Sequence, residues 1–285
     1  MTEAPKLGPV SQCSLIASDG EAAVAAYTRW LHLHIVSAQE LDADTAMAIG
    51  YADLVGERSW LLANSAGRQW LQIVEHRAAL PRDSLHSFGW MALEVLVEDV
   101  DDLATSLADS PFEILRPPAD LDLSDKIRAC QVRGPCGEVL YLTQISAAVP
   151  PFDLPTCEAS VDRLFIPVLS TPSRELSLAQ YSSISGNTGI SFETKVTVVN
   201  QARGYDLGRL HQVATLQLAG QALLELDQID NTVQLSPGTY LGMACVALDY
   251  CAEEGNITPQ VGPFAGRNVS PHVGHAGERF ALLHP

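Results

Sequence analysis

The sequence predicts an α+β fold assembled from repeated β-α-β-β-β modules. Residues 89–144 read as a strand, a helix and three strands, in that order. The chain's last stretch, GERFALLHP, echoes GEVLYLTQI, which ends that module, and GMACVALDY echoes its opening WMALEVLVED. Between the two halves lies AAVPPFDLPTCEAS, whose three prolines are barred from a central strand.

In chain order, PVSQCSLIA (9–17) reads as the first strand. Asp19 caps the helix EAAVAAYTRWLH, with Val24, Tyr27, Trp30 and Leu31 on one face. HIVSAQEL and the Ala-rich DADTAMAIGYADLVG are poorly patterned, and the strands RSWLLANSA and RQWLQIVEH turn at Gly67. RAALPRDSLHS connects to the second module, whose first strand, GWMALEVLVE, has the composition of one buried on both faces. Its helix carries acids in the first turn, where the helix dipole favours them. FEILRPP, IRACQVRG and GEVLYLTQI complete it, punctuated by Pro117-Pro118 and by Gly134, Pro135 and Gly137.

Beyond the linker come a strand, VDRLFIPVLS, and a helix, SRELSLAQYSSIS, begun at Thr171-Pro172. The strands GISFETKVTVVNQA, RLHQVATLQLA and QALLELDQI follow. In the fourth module YLGMACVALDY and GERFALLHP are clear, only CAEEGN offers a helix, and ITPQVGPFAGRNVSPHVG reads as a Gly/Pro-rich loop. The expected division is 1–146, a linker at 147–160, and 161–285.

Hydrophobic content of 47% with 18% charged residues describes a globular chain, and 285 residues suffice for two domains. No apolar run is long enough to span a membrane. The N-terminus lacks a signal pattern, so the expected location is cytoplasmic. A net charge of −17 argues against nucleic-acid binding. None of the six cysteines forms a C-x-x-C pair, which leaves buried reduced thiols. Walker, G-x-G-x-x-G and G-x-S-x-G motifs are absent, so no cofactor is implied.

The module order, the acidic turn at Asp99–Asp102 and the turn Gly134-Pro135-Cys136-Gly137 resemble the vicinal oxygen chelate superfamily. That group contains glyoxalases, bleomycin-resistance proteins, methylmalonyl-CoA epimerases and extradiol dioxygenases, and its usual turn reads Asp-Pro-x-Gly. The resemblance covers residues 9–145 well and 160–285 less well. It implies four βαβββ modules paired in chain order into two half-open β-barrel cups, the fourth module being degenerate.

The resemblance also implies metal ligands, His and Glu, on the first and last strands of each module. Aligned strand by strand, those positions hold Gln12 and Gln72, then Ala92 and Tyr141. The second half gives Arg163 or Phe165 with Glu225, then Gly242 and Ala281. Such a set makes no facial triad, so no metal is expected. His272 and His275 form a loose His-x-x-His pattern, while His211 and His284 read as hydrogen-bonded structural histidines.

What remains is a polar cup. Tyr141 is a candidate general acid, with packing in the sheet as the alternative, and Glu94 a candidate base whose pKa burial would raise. Gln12 and Gln72 offer hydrogen bonds, Trp70 and Trp90 an aromatic wall, and Arg163 with Glu225 either substrate contacts or a salt bridge. The expected function is a metal-independent lyase or isomerase acting on a small oxygenated or aromatic catabolite. The alternatives are a non-catalytic binding protein of bleomycin-resistance type, or an extradiol-type dioxygenase if the ligand register differs. A small-molecule substrate is the expected partner, with no nucleic acid and no membrane, and exposed module edges favour a homodimer.

Overall fold

The computed structural model describes residues 5–122, 124–252 and 255–285. The first module comprises β1 (Leu7–Ala17), α1 (Gly20–Trp30), β2 (His34–Glu40), the short helix α2 (Ala43–Ala48), β3 (Arg58–Ala63) and β4 (Gln69–Glu75). The second comprises β5 (Gly89–Val97), α3 (Val100–Leu107), β6 (Glu113–Leu121), β7 (Ser124–Arg133) and β8 (Val139–Ile145). In the third are β9 (Val161–Thr171), α4 (Arg174–Ser185), β10 (Ile190–Lys195), α5 (Thr197–Ala202), β11 (Leu210–Leu218) and β12 (Ala222–Gln228). The fourth has β13 (Gly242–Tyr250), β14 (Asn268–Val273) and β15 (Arg279–His284). Its expected helix, CAEEGN, lies partly outside the described residues.

Two segments differ from the sequence expectation. VTVVNQA is not strand but α5, because its valines at 196, 198 and 199 pack into a cup as one short apolar face. The Asn200 side chain fixes that turn by donating to the carbonyls of Leu207 and Arg209. Part of the Gly/Pro-rich stretch becomes β14, an edge strand on which Pro271 is tolerated. Pro117 and Pro118 likewise sit inside β6, the outermost strand of its sheet.

The strands form two sheets, in the orders β14-β15-β13-β1-β4-β3-β2 and β10-β11-β12-β9-β5-β8-β7-β6. The modules therefore do not pair along the linker. The first joins the fourth through antiparallel β1 and β13, and the second joins the third through antiparallel β5 and β9. First strands carry unpaired backbone edges, and each edge is satisfied by a strand from the other half of the chain.

Alternation along the strands sends successive side chains to opposite faces. Leu15, Leu93, Leu169 and Leu248 enter one large apolar cluster with Tyr27 of α1, Leu103 of α3 and Tyr181 of α4. Their neighbours Ile16, Ala92, Val168 and Ala247 face the cups. The first-and-fourth cup is filled by Ile49, Leu54 and Phe264, whereas α5 covers only part of the other.

Helix caps follow the sequence. Asp19 accepts from the amide of Ala22, Asp99 from those of Asp101 and Asp102, and Ser173 from that of Leu176. The repeated turn Gly-x-x-Gly-Glu has a tertiary purpose. Tyr27 Oη donates to Glu138 Oε1 at 2.6 Å, and the amide of Cys136 donates to Oε2 at 2.9 Å. Tyr181 and Ala276 hold Glu278 in the same way, at 2.8 and 2.9 Å. Gly134 and Gly274 leave room for these carboxyls, since a Cβ at either position would collide with them.

Burial pushes the Glu138 carboxyl up to about 7, against the opposing effect of the Tyr27 hydrogen bond. Removing the Tyr27 hydroxyl strands a buried acceptor, a cost of about 1–3 kcal/mol. Tyr27→Phe is therefore expected to lower the unfolding free energy by about that amount, and Tyr181→Phe similarly. Urea denaturation of the two variants, monitored by far-UV circular dichroism, is the check.

Candidate functional site

The polar groups gather on the cup face of the second sheet, where β12, β9, β5 and β8 lie side by side. Registry carries the row across. Glu94 lies opposite Ile166 of β9 and Tyr141 of β8, while Val168 lies opposite both Ala92 and Glu225. Glu94, Tyr141 and Glu225 line one cavity of about 450 Å³, together with Arg116, Gln131 and Phe192. At its border Lys195 is paired with Asp122 at 2.7 Å.

This floor is short of hydrogen-bond partners. Thr143 Oγ1 donates to Glu94 Oε2 at 3.0 Å. The Tyr141, Ser170 and Thr215 hydroxyls are buried without a hydrogen-bond partner, and the buried Asp227 carboxyl has the Glu225 carboxyl beside it. Asp227 lies two residues beyond Glu225 on β12 and opposite Ser170, which extends the polar row along the same face. Such groups are costly to desolvate in a folded core.

Burial raises the pKa of Glu94 above the usual carboxylate range, and the nearby Glu225 raises it further. Burial raises Glu225 as well, and it raises Asp227 well above its ordinary value, with Glu225 adding to the shift. The Tyr141 phenol is raised by burial and then by the charges of Asp227, Glu225 and Glu94. Carboxyls this close in a low-dielectric cup titrate as a group and retain protons near neutral pH.

The structure thus brings Glu94, Tyr141 and Glu225 together and places the other candidates elsewhere. Gln12, Trp70 and Arg163 line a different cavity, of about 330 Å³. Gln72 sits in a buried chain, accepting from Ser14 and donating to Ser59. Trp90 is core, its indole donating to the carbonyl of Arg279 at 2.7 Å, so neither tryptophan walls the carboxylate cavity. Arg163 does not pair with Glu225. It lies 3.4 Å from Asp162 and 3.5 Å from Glu158, while Glu225 sits beside Val168 farther along β9.

Sequence reasoning missed Asp227 and Thr143. Both were within reach of strict alternation, since Asp227 follows Glu225 in LLELDQ and Thr143 follows Tyr141 in LYLTQ by two residues. The histidines stand apart from the cup. His211 bonds Asn200 and His284 bonds Ser270; His272 lies on β14 against Ser270, and His275 is exposed at the turn before β15.

The metal positions expected from the resemblance hold an alanine at 92, a phenol at 141, a carboxylate at 225 and, at 165, a phenylalanine in the apolar cluster. In the other cup Gln72 is committed to two serines. Among the described residues no group of three or more His, Cys, Asp or Glu side chains is arranged to hold a metal ion. This donor set does not fit the metal that the resemblance implies.

The chain matches no protein-family model and no curated protein sequence. Its architecture does have solved counterparts. It is similar to glyoxalase I from Zea mays, with a TM-score of 0.64 at 14% identity over 98% of this chain and 93% of that one. It is also similar to a proposed dioxygenase from Bacillus subtilis subsp. subtilis strain 168, with a TM-score of 0.65 at 12% identity over 99% and 86% of the two chains. No helix among the described residues is long and apolar enough to cross a membrane.

A carboxyl whose pKa is raised by folding contributes fully below its unfolded value, and that contribution is lost as pH rises through the folded value. Glu225 should therefore weaken the fold in alkaline solution. Glu225→Gln is expected to raise the unfolding free energy at pH 8 by about 1–3 kcal/mol, from about 1.4 kcal/mol per pKa unit, with little change near pH 4. Thermal melts of both proteins across this range provide the measurement.

Proposed function

We propose that this chain, which has the vicinal oxygen chelate fold of glyoxalase I, is an enzyme that moves protons on a small oxygenated substrate, as a lyase or isomerase does. The observation that carries this reading is Glu94, half-buried beside Tyr141 and Glu225 in one cavity. Glu94 in its ionised form is the base, its orientation fixed by the Thr143 hydroxyl. The Tyr141 phenol lacks a partner within the chain and is the group to donate a hydrogen bond to a substrate oxygen. One proton held within the Glu94–Glu225 pair limits the site to one negative charge, and the protonated partner offers a second donor.

Phe192, Val196 and Val198 give the cavity apolar walls, and Gln131 and Arg116 add polar contacts. This mixture suits a small molecule with an apolar body and clustered oxygens. The substrate acts as acid through a C–H bond adjacent to a carbonyl, and the proton passes from carbon to Glu94 Oε. Chemistry of this kind needs no metal where phenol and carboxylic-acid donors stabilise the oxyanion.

The test is deuterium incorporation from D2O into a panel of small 2-oxo acids and aromatic ketones, read by mass spectrometry. Glu94→Gln is expected to abolish exchange and Tyr141→Phe to slow it by roughly 10²-fold, with both variants folded. The pH profile of kcat/KM should rise from acid and level off above the ordinary carboxylate range, because the base form of Glu94 appears late. Ligands that bind tightly and return unchanged and unexchanged would turn the reading to sequestration. Full activity in both variants would remove these residues from the mechanism.

A further inference from the structure

A second cavity of about 290 Å³ lies away from the carboxylate cup, lined by Tyr51, Arg82, Gln234 and Arg279 among others. It brings together the start of β5, the segment 234–240 and the turn before β15. Arg82 comes from the connector between the first two modules. Its Nε donates to Ser87 Oγ at 3.0 Å, Nη1 to the carbonyl of Met243 at 3.2 Å, and Nη2 to those of Phe88 and Trp90 at 3.2 and 2.6 Å. Every one of these acceptors is neutral. The Arg279 guanidinium lies over the ring of Tyr51, 4.4 Å from its centroid.

The acidic groups that face this region are committed elsewhere. Glu278 borders the cavity, but its oxygens accept from Tyr181 and from the amide of Ala276, and burial raises its pKa toward the neutral form. Asp83 accepts from the amide of Leu85 and pairs with His86, and Asp53 accepts from Thr239. Among the described residues neither guanidinium has a carboxylate within ion-pair distance. Burial is severe enough to pull Arg82 down to about 10. In a chain of net charge −17, two arginines without counter-ions on one cavity form a local positive site in a negative molecule.

A buried cation lacking an anion is expensive, and a guanidinium fork matches the oxygens of carboxylate and phosphate. We infer that the Arg82–Arg279 cavity binds a small oxyanion, with Arg279 making the direct ionic contact and Gln234 an amide hydrogen bond. Its volume is at the lower end for ligand pockets, which suits inorganic phosphate or a short dicarboxylate. The site is independent of the proton-transfer chemistry proposed for the cup. The cavity lies at the junction of the two sheets, where Arg82 reaches the carbonyls of Trp90 on β5 and Met243 on β13.

Titration calorimetry of the full chain with inorganic phosphate, and separately with malonate, tests the site. Saturable binding of at least one anion with unit stoichiometry is expected, and preference between the two identifies the source of the oxyanion. Arg279→Gln should weaken binding at least tenfold. Arg128→Gln, which removes a surface arginine paired with Asp101, should leave it unchanged. If the glutamine variant does not fold, Arg279→Lys keeps the charge, loses the fork and should weaken binding severalfold. Absence of saturable binding of either anion at millimolar concentration, unaltered affinity in the Arg279 variants, or equal weakening in Arg128→Gln would overturn the assignment.

Discussion

The antiparallel joining of first strands, β1 to β13 and β5 to β9, is the constraint on which the rest of this molecule depends. A βαβββ module by itself leaves its first strand as an open edge. Joining two such edges turns eight short strands, or seven, into one continuous sheet that can curl around a ligand. Because each joint takes one module from either side of the Pro-rich segment, neither cup can form from one half of the chain. The Tyr27–Glu138 and Tyr181–Glu278 contacts then tie together the modules that are adjacent in sequence but lie in different sheets. Backbone pairing thus joins the first module to the fourth and the second to the third, while the buried side-chain latches join the first to the second and the third to the fourth.

The two cups have diverged in what fills them. In the first-and-fourth cup, α2 and the turn at Gly262–Phe264 bring Ile49, Leu54 and Phe264 inward, and Gln72 is paired with Ser14 and Ser59. In the other, α5 covers part of the floor and leaves Glu94, Glu225 and Tyr141 around an open volume, with Asp227 buried beside them. Three carboxyls gathered in one cup add nothing to stability, since burial of an unpaired acid costs more than any packing it adds. Three carboxyls raised by burial on one face are what make this cup the candidate site.

Much of this arrangement was legible in the sequence. The cap at Asp19, the acidic turn at Asp99–Asp102, the apolar composition of β5, and the echo of GEVLYL in GERFAL placed the modules and their repeat. That Glu94, Tyr141 and Glu225 face a cavity was legible because a polar side chain on an apolar strand must face a pocket or a partner. The valine-rich VTVVNQA misled, because its composition favours a strand and only the cup it covers makes it a helix. Trp90 and Gln72 misled for a related reason, since both have buried partners, Arg279 and the serines, that lie far away in sequence or on a neighbouring strand.

By itself the sequence determined the module, its repetition and which residues alternate toward a cup, because these rest on local periodicity and on turn and cap chemistry. Only the tertiary structure decided which modules share a sheet, which cup stays open, and that Arg163 turns to Asp162 rather than Glu225. Strand edges are chemically alike, and alternation carries no record of which distant edge will satisfy them. That choice is made by long-range packing, and with it the company each buried charge keeps.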